Sequence, residues 1–209
     1  MFVVFRCGVC VVRIIVVPLH VDTWCWFFLL VGIGCCYEFV IFFVMENEFR
    51  AMRRNRQQLS ESETLELLRG GTSGVLAVSG DGGYPYAVPL SYVYADGVIY
   101  FHSALEGHKI DAVRRLDKAS FCVVCQDDVQ PERYTTHFRS VIAFGRIRIV
   151  TDEDERMSAA RLLGHRYHPH GTEAELEAEL AHGLGRMHVL RFDIEHITGK
   201  ESIELTRMR

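Results

Sequence analysis

Ser103, His108 and Lys109 flank Gly107 in the stretch "IYFHSALEGHKIDAVRR", residues 99–115, and together they have the makings of an anion site. The stretch begins as a strand, breaks at the glycine and resumes as a basic helix. Glycine lets the backbone turn tightly, and the helix that follows presents unpaired N–H groups and the positive end of its dipole. Lys109 supplies a point charge, Ser103 a hydroxyl, His108 a ring N–H, and Arg114 or Arg115 a second cation from the following turn. Such a corner suits a phosphate. The same residues also suit an ordinary strand-loop-helix corner with solvated basic side chains, and the pattern alone does not separate the two.

Other chemistry-bearing residues carry less. Cys122 and Cys125 sit in "SFCVVCQ", which reads as a strand, so residues three apart point to opposite faces and no redox or zinc pair is expected. His165, His168 and His170 in "GHRYHPHG" fall in a loop with no cysteine or carboxylate at ligand spacing, so no metal is expected there. His102 and Tyr92 lie near the corner in sequence and are the groups to weigh for acid–base work, but the pattern assigns no catalytic residue.

The elements that must position the corner are mostly strands. Ser60 and Glu63 in "LSESETLELLRGG" form a capping-box pattern, and Gly70-Gly71 supplies the stop of a short helix. "GVLAVSG", "YPYAVPLSYVY" and "VIYFHSA" follow, separated by the turns "GDGG" and "ADG", and predict an antiparallel meander. Ile110, Val113 and Leu116 recur at helical spacing before "KASFCVVCQ" returns to strand. "SVIAFGRIRIVTD" and "MHVLRFDIEHITG" predict two further strands, with helices Thr151–Gly164 and Thr172–Gly183 between them. The class is mainly β with inserted helices: six antiparallel strands closed, or nearly closed, into a barrel. Pro85 and Pro89 remove two ladder donors from their strand, which should therefore be an edge or should open toward a ligand.

Composition adds two constraints. The formal net charge of −4 gives no reason to expect nucleic acid as a partner, so any anion must be held by a local cluster. Residues 1–44 hold five of the seven cysteines, both tryptophans and only four charged side chains, Arg6, Arg13, Asp22 and Glu38. Residues 23–44 have the length of a membrane anchor, although Glu38 would cost about 2.5 kcal/mol or more in lipid. A secretory signal fits poorly because no A-x-A-like site follows. The favoured expectation is that translation starts at Met45 or Met52 and that residues 45–209 are the functional domain. Without the leading segment only Cys122 and Cys125 remain, which suits a reducing cytoplasm; the alternative location is a membrane, through residues 23–44.

"GYPYAVPLSYVYADGVIYFHSALEGHKIDAVRRLDKASFCVV", "YTTHFRSVIAFGRIRIV" and "RFDIEHITGKES" resemble the pyridoxamine 5'-phosphate oxidase-like FMN-binding split-barrel family, and within it the 5-nitroimidazole-resistance subgroup. The resemblance covers about residues 53–201 and is most specific in "YPYAVPLSY" and "YFHSALEGHK". It implies a split-barrel homodimer with FMN in a groove at the subunit interface. By the same resemblance, Val88, Pro89, Leu90 and Ser91 flank the isoalloxazine ring, and His102, Ser103, His108 and Lys109 approach the phosphate. Residues from Thr136 to Ser140 face the flavin region of the other subunit. The implied activity is a flavin-dependent reductase or oxidoreductase acting on a small aromatic or nitro-heteroaromatic acceptor, with NAD(P)H as a candidate donor. Pyridoxamine phosphate oxidation is the same-class alternative, disfavoured because the chain ends "GKESIELTRMR" without the further basic residues and tail of those oxidases. A non-catalytic flavin or haem binder is the different-class alternative.

Overall fold

The computed structural model describes residues 49–209 and, before them, only the backbone of four short strands: β1 (Phe2–Cys7), β2 (Cys10–Ile15), β3 (Leu29–Gly32) and β4 (Tyr37–Val40). Contacts divide the chain into two units, Met1–Arg50 and Ala51–Arg209. In the first, β1 pairs with β2 and β3 with β4, both antiparallel. The start-site and anchor expectations otherwise lie outside the described residues. Among the described residues no helix is long and apolar enough to cross a membrane.

The second unit runs α1 (Glu61–Gly70), β5 (Ser73–Ser79), β6 (Pro85–Ser91), β7 (Val93–Ala95), β8 (Val98–Ala104), α2 (His108–Arg115), β9 (Lys118–Gln130), β10 (Thr135–Ile149), α3 (Glu153–Tyr167), α4 (Glu173–Gly183), β11 (Met187–Glu201) and α5 (Ile203–Met208). The seven strands form one antiparallel sheet in the order β6-β5-β9-β10-β11-β8-β7. Seven strands replace the expected six because "YPYAVPLSYVY" breaks at Tyr92. That ring is 1% exposed and turns into the core, and its hydroxyl donates to the Leu68 carbonyl. Strand pairing does not close the sheet. Its two edges, β6 and β7, are nevertheless joined by Tyr92 alone, so the sheet must curl until its margins meet at that corner.

The concave face holds the main core. Leu76, Phe101, Phe121, Val123, Val141 and Phe192 meet Leu68 of α1 and Ile110 of α2, all of them buried. Phe101 and Tyr92 both set their rings edge-on to Phe121, with centroids 5.0 Å apart in each case. The convex face is half covered. α3 and α4 pack Ala159, Ala160 and Leu180 onto Val150 and Val189. Glu155 of α3 then accepts from Arg191 Nη1 at 2.7 Å, Arg148 Nη2 at 3.1 Å and the Tyr100 hydroxyl at 3.1 Å. The other half of this face carries exposed Val75, Val124, Val129 and Ile142 on neighbouring strands, with Pro89 beside them on β6. No helix of the second unit covers it.

One helix departs from expectation for identifiable reasons. α3 is capped by Asp152, whose carboxylate accepts from Glu155 N, rather than by Thr151. It also runs on past Gly164 to Tyr167. Gly164 is no stop: a Cβ there would lie 2.4 Å from Leu176 Cδ1, so the glycine lets α3 and α4 approach closely. α4 starts at the expected Thr172 capping box and ends at Gly183.

Candidate functional site

α2 begins as the sequence requires. Gly107 has φ 120° and ψ 170°, a conformation reserved for glycine, and no side chain caps the helix. Its carbonyl receives Ile110 N at 2.8 Å and Asp111 N at 3.1 Å, which leaves the amides of His108 and Lys109 at the open end. Buried Ile110, Ala112 and Val113 hold the helix to the core, so this end is fixed in place. Lys109 is half-buried, and loss of solvent pushes its amine below the ordinary lysine value.

The corner residues do not all converge. Ser103 is buried on the concave side of β8, whereas His102 is exposed on the convex side, as neighbours on a strand must be. His108 stacks on Tyr86 of β6 with ring centroids 4.1 Å apart and an interplanar angle of 24°. Its Nε2 is also 3.6 Å from Asp81 Oδ2. Both arginines expected to offer a second cation already face carboxylates. Arg115 donates to Asp81 Oδ1 at 3.0 Å and to the Ser79 carbonyl at 2.8 Å, and Arg114 lies 4.0 Å from Asp111. Sequence reasoning missed Asp81 and Tyr86. Both belong to the β5–β6 turn region, and only the tertiary fold brings that region against α2.

β6 is the edge strand its prolines predict. Val88 and Leu90 pack inward against the core, so they offer a ligand only backbone, while Pro89 is exposed on the opposite face. Ser91, half-buried, pairs with Ser73 at the start of β5. From Tyr86, beside His108, to Ser91 is five residues, or about 17 Å of extended strand. Ser140 is half-buried, paired with Lys200 on one side and Val124 on the other, at a bulge where Cys125 is left without a partner in the ladder. It shares the bare convex face with Ile142.

Cys122 and Cys125 are unbridged and half-buried, and burial raises both thiols above their ordinary value. Neither has the electropositive surroundings of a reactive thiolate. His165 pairs loosely with Glu173 at 3.4 Å, and no cluster of three or more metal-ligating side chains occurs among the described residues. A cavity of about 710 Å³ opens between the C-terminal half of α1, the start of β5 and the β9–β10 hairpin, with Ser73 and Arg139 in its wall.

Seven antiparallel strands curled about an aromatic core, with a glycine-started helix docked beside a proline-bearing edge, make up a β fold that other proteins share. The sequence profile of the pyridoxamine 5'-phosphate oxidase family matches residues 60–201, and the chain belongs to that family. No curated protein matches the chain. Among solved structures, a conserved hypothetical protein from Mycobacterium tuberculosis aligns with TM-score 0.64 at 20% identity, covering 74% of this chain and 92% of that one. A candidate 5-nitroimidazole antibiotic resistance protein from Bacteroides thetaiotaomicron aligns with TM-score 0.59 at 18% identity over 69% and 86%. A FAD and haem binding protein from Mycobacterium smegmatis aligns with TM-score 0.60 at 23% identity over 70% and 74%. At these identities the likeness concerns the fold.

Proposed function

We propose that the protein is an FMN-dependent oxidoreductase of the split-barrel type, acting as a homodimer on a small aromatic or nitro-heteroaromatic acceptor. The observation that carries this reading is the uncapped start of α2 at Gly107, with half-buried Lys109 in its first turn and the β6 edge alongside. Two free amides, the positive helix end and one lysine suit a phosphate. β6 leads from that corner to Ser91 with a margin whose missing donors at Pro85 and Pro89 leave it open to a ring. Membership of the pyridoxamine 5'-phosphate oxidase family and a flavin-binding neighbour of the same fold support the choice of cofactor.

In this reading His108 and Lys109 hold the phosphate, with the buried Ser103 hydroxyl behind them, and the backbone at Val88 and Leu90 lines the ring with Pro89 and Ser91. His102 lies exposed on the other face of β8 from Ser103. The bound flavin supplies the electron transfer, with NAD(P)H as donor, while the chain binds, orients and shields it. The bare convex half-face around Val124 and Ile142 becomes the subunit interface, which carries Ser140 toward the flavin of the other subunit.

Purified protein should be yellow, with absorbance near about 450 nm, and NAD(P)H should bleach it. A Soret band in place of that absorbance would indicate haem. Flavin that binds but is neither reduced by NAD(P)H nor reoxidised by any acceptor would remove the enzymatic part of the reading. Colourless protein that does not take up FMN would remove all of it.

A further inference from the structure

We propose that the cavity beside α1 is a binding site for a neutral, flat ring bearing a carboxamide or lactam group, oriented by Arg139. Its volume of about 710 Å³ lies in the range of small-molecule sites, and Leu59 and Leu67 give it apolar walls. Arg139 supplies the donor. Its Nε is fixed on Glu201 Oε2 at 3.3 Å, and its two terminal nitrogens have no partner among the described residues.

The buried acid explains why that guanidinium is so placed. Glu201 is 0% exposed and sits directly opposite Arg139 in the β10–β11 register. Its second oxygen has no well-formed hydrogen bond but lies 2.9 Å from Arg209 Nη2. A carboxylate buried this completely is tolerable only when cations hold it. Held by two, it pins Arg139 through Nε and leaves the terminal fork turned to a planar oxygen acceptor.

The surrounding charges select the class of ligand. Glu63, Glu66 and Glu201 line the cavity, with Arg139 as the lining cation. Arg209 neutralises further, at 2.7 Å from Glu63 and 2.9 Å from Glu201, and Arg166 is spent on the Gly70 and Gly71 carbonyls. Glu66 is thus the lining carboxylate without a cationic partner among the described residues. An anionic ligand would meet Glu66, and a cationic one would meet Arg139. A carboxamide or lactam satisfies both, with its oxygen on Arg139 and its N–H toward Glu66. Because Ser73 in the cavity wall pairs with Ser91, a ring held here would lie close to the β6 margin; that it would then accept electrons is the one clause that rests on the flavin reading.

Benzamide and benzoate, alike in shape and different in charge, test the site by isothermal titration of the full chain, with and without FMN. Benzamide should bind more tightly than benzoate, and Glu66→Gln should narrow the gap. The double variant Arg139→Met with Glu201→Met removes the fork without stranding a buried charge, and should weaken benzamide by at least about tenfold. Arg139→Lys keeps Glu201 paired while losing the fork, and should weaken benzamide even if the double variant folds poorly. Equal benzamide affinity in Arg139→Lys and wild type, or benzoate binding as tightly as benzamide, would overturn the proposal. The FMN titration reads separately: benzamide binding without FMN uptake defeats only the flavin reading, and FMN uptake without benzamide binding defeats only this one.

Discussion

The hydroxyl of Tyr92 donates to the carbonyl of Leu68 at 2.5 Å, so the residue that joins the two margins of the sheet also caps the end of α1. Leu68 O is one of the terminal helix carbonyls that no backbone amide reaches. Burial pushes the Tyr92 hydroxyl well above the ordinary tyrosine value, which keeps its proton on the oxygen and its donor role intact. Tyr92→Phe leaves the carbonyl buried and unpaired, and should lower stability by about 1–3 kcal/mol with an unchanged urea m-value. A change under about 0.5 kcal/mol would mean that water or another donor reaches Leu68 O.

The α3 clasp makes stability depend on acid. Burial alone would raise the Glu155 carboxyl, but hydrogen bonds from Arg191, Arg148 and Tyr100 outweigh it and hold the group below the ordinary glutamate value. Glu63 is lowered further, to about 2, by the Ser60 capping box and Arg209. For a carboxyl lowered on folding, the stabilisation is present above the unfolded value and is lost as pH falls through the folded one. Unfolding followed from pH 7 downward should therefore show an acid limb below the ordinary glutamate range, and Glu155→Gln should flatten it while loosening α3. An acid limb of the same steepness in the variant would place its origin elsewhere.

If FMN binds at the start of α2 as proposed, Lys109 should set an alkaline limit on that binding. Its amine is lowered by burial, so the charge proposed to meet the phosphate is present at neutral pH and should disappear at a lower pH than for an exposed lysine. FMN affinity should fall as pH rises through that lowered value, measured by flavin fluorescence. Lys109→Ala should bind FMN more weakly at neutral pH without unfolding the sheet, and Lys109→Arg should carry the limit to higher pH. Equal affinity in wild type and Lys109→Ala would refute the placement of the phosphate.

The bare convex half-face should govern assembly. Val124 is 64% exposed and Ile142 40% exposed, on adjacent strands β9 and β10, where Val124 faces Ser140 and Ile142 faces Cys122. Ile142→Asp should convert a dimer to monomer in sedimentation velocity while leaving the melting temperature of the fold nearly unchanged, since the side chain already touches solvent. A dimer that survives both Ile142→Asp and Val124→Asp would have its interface elsewhere.

Much of this was legible in sequence because the signals were local. The Ser60 and Thr172 capping boxes, the glycine before α2 and the prolines of β6 each act through their own backbone, and each produced the element expected of it. What stayed hidden depends on contacts distant along the chain. Tyr92 reads as one more aromatic in a strand until Leu68 and Tyr167 reach it: its amide donates to the Tyr167 hydroxyl at 2.7 Å. Asp81 reads as a turn residue until α2 places His108 and Arg115 against it. Glu201 reads as a charge near the chain's end, and only the β10–β11 register shows it fully buried against Arg139.

The two prolines of β6 also set the style of any assembly. Four residues apart, they withhold the same sideways donor twice along the sheet's outer rim, so a foreign strand arriving there finds too few hydrogen-bonding rungs to zip onto. Any self-association is thereby steered away from strand pairing along this rim.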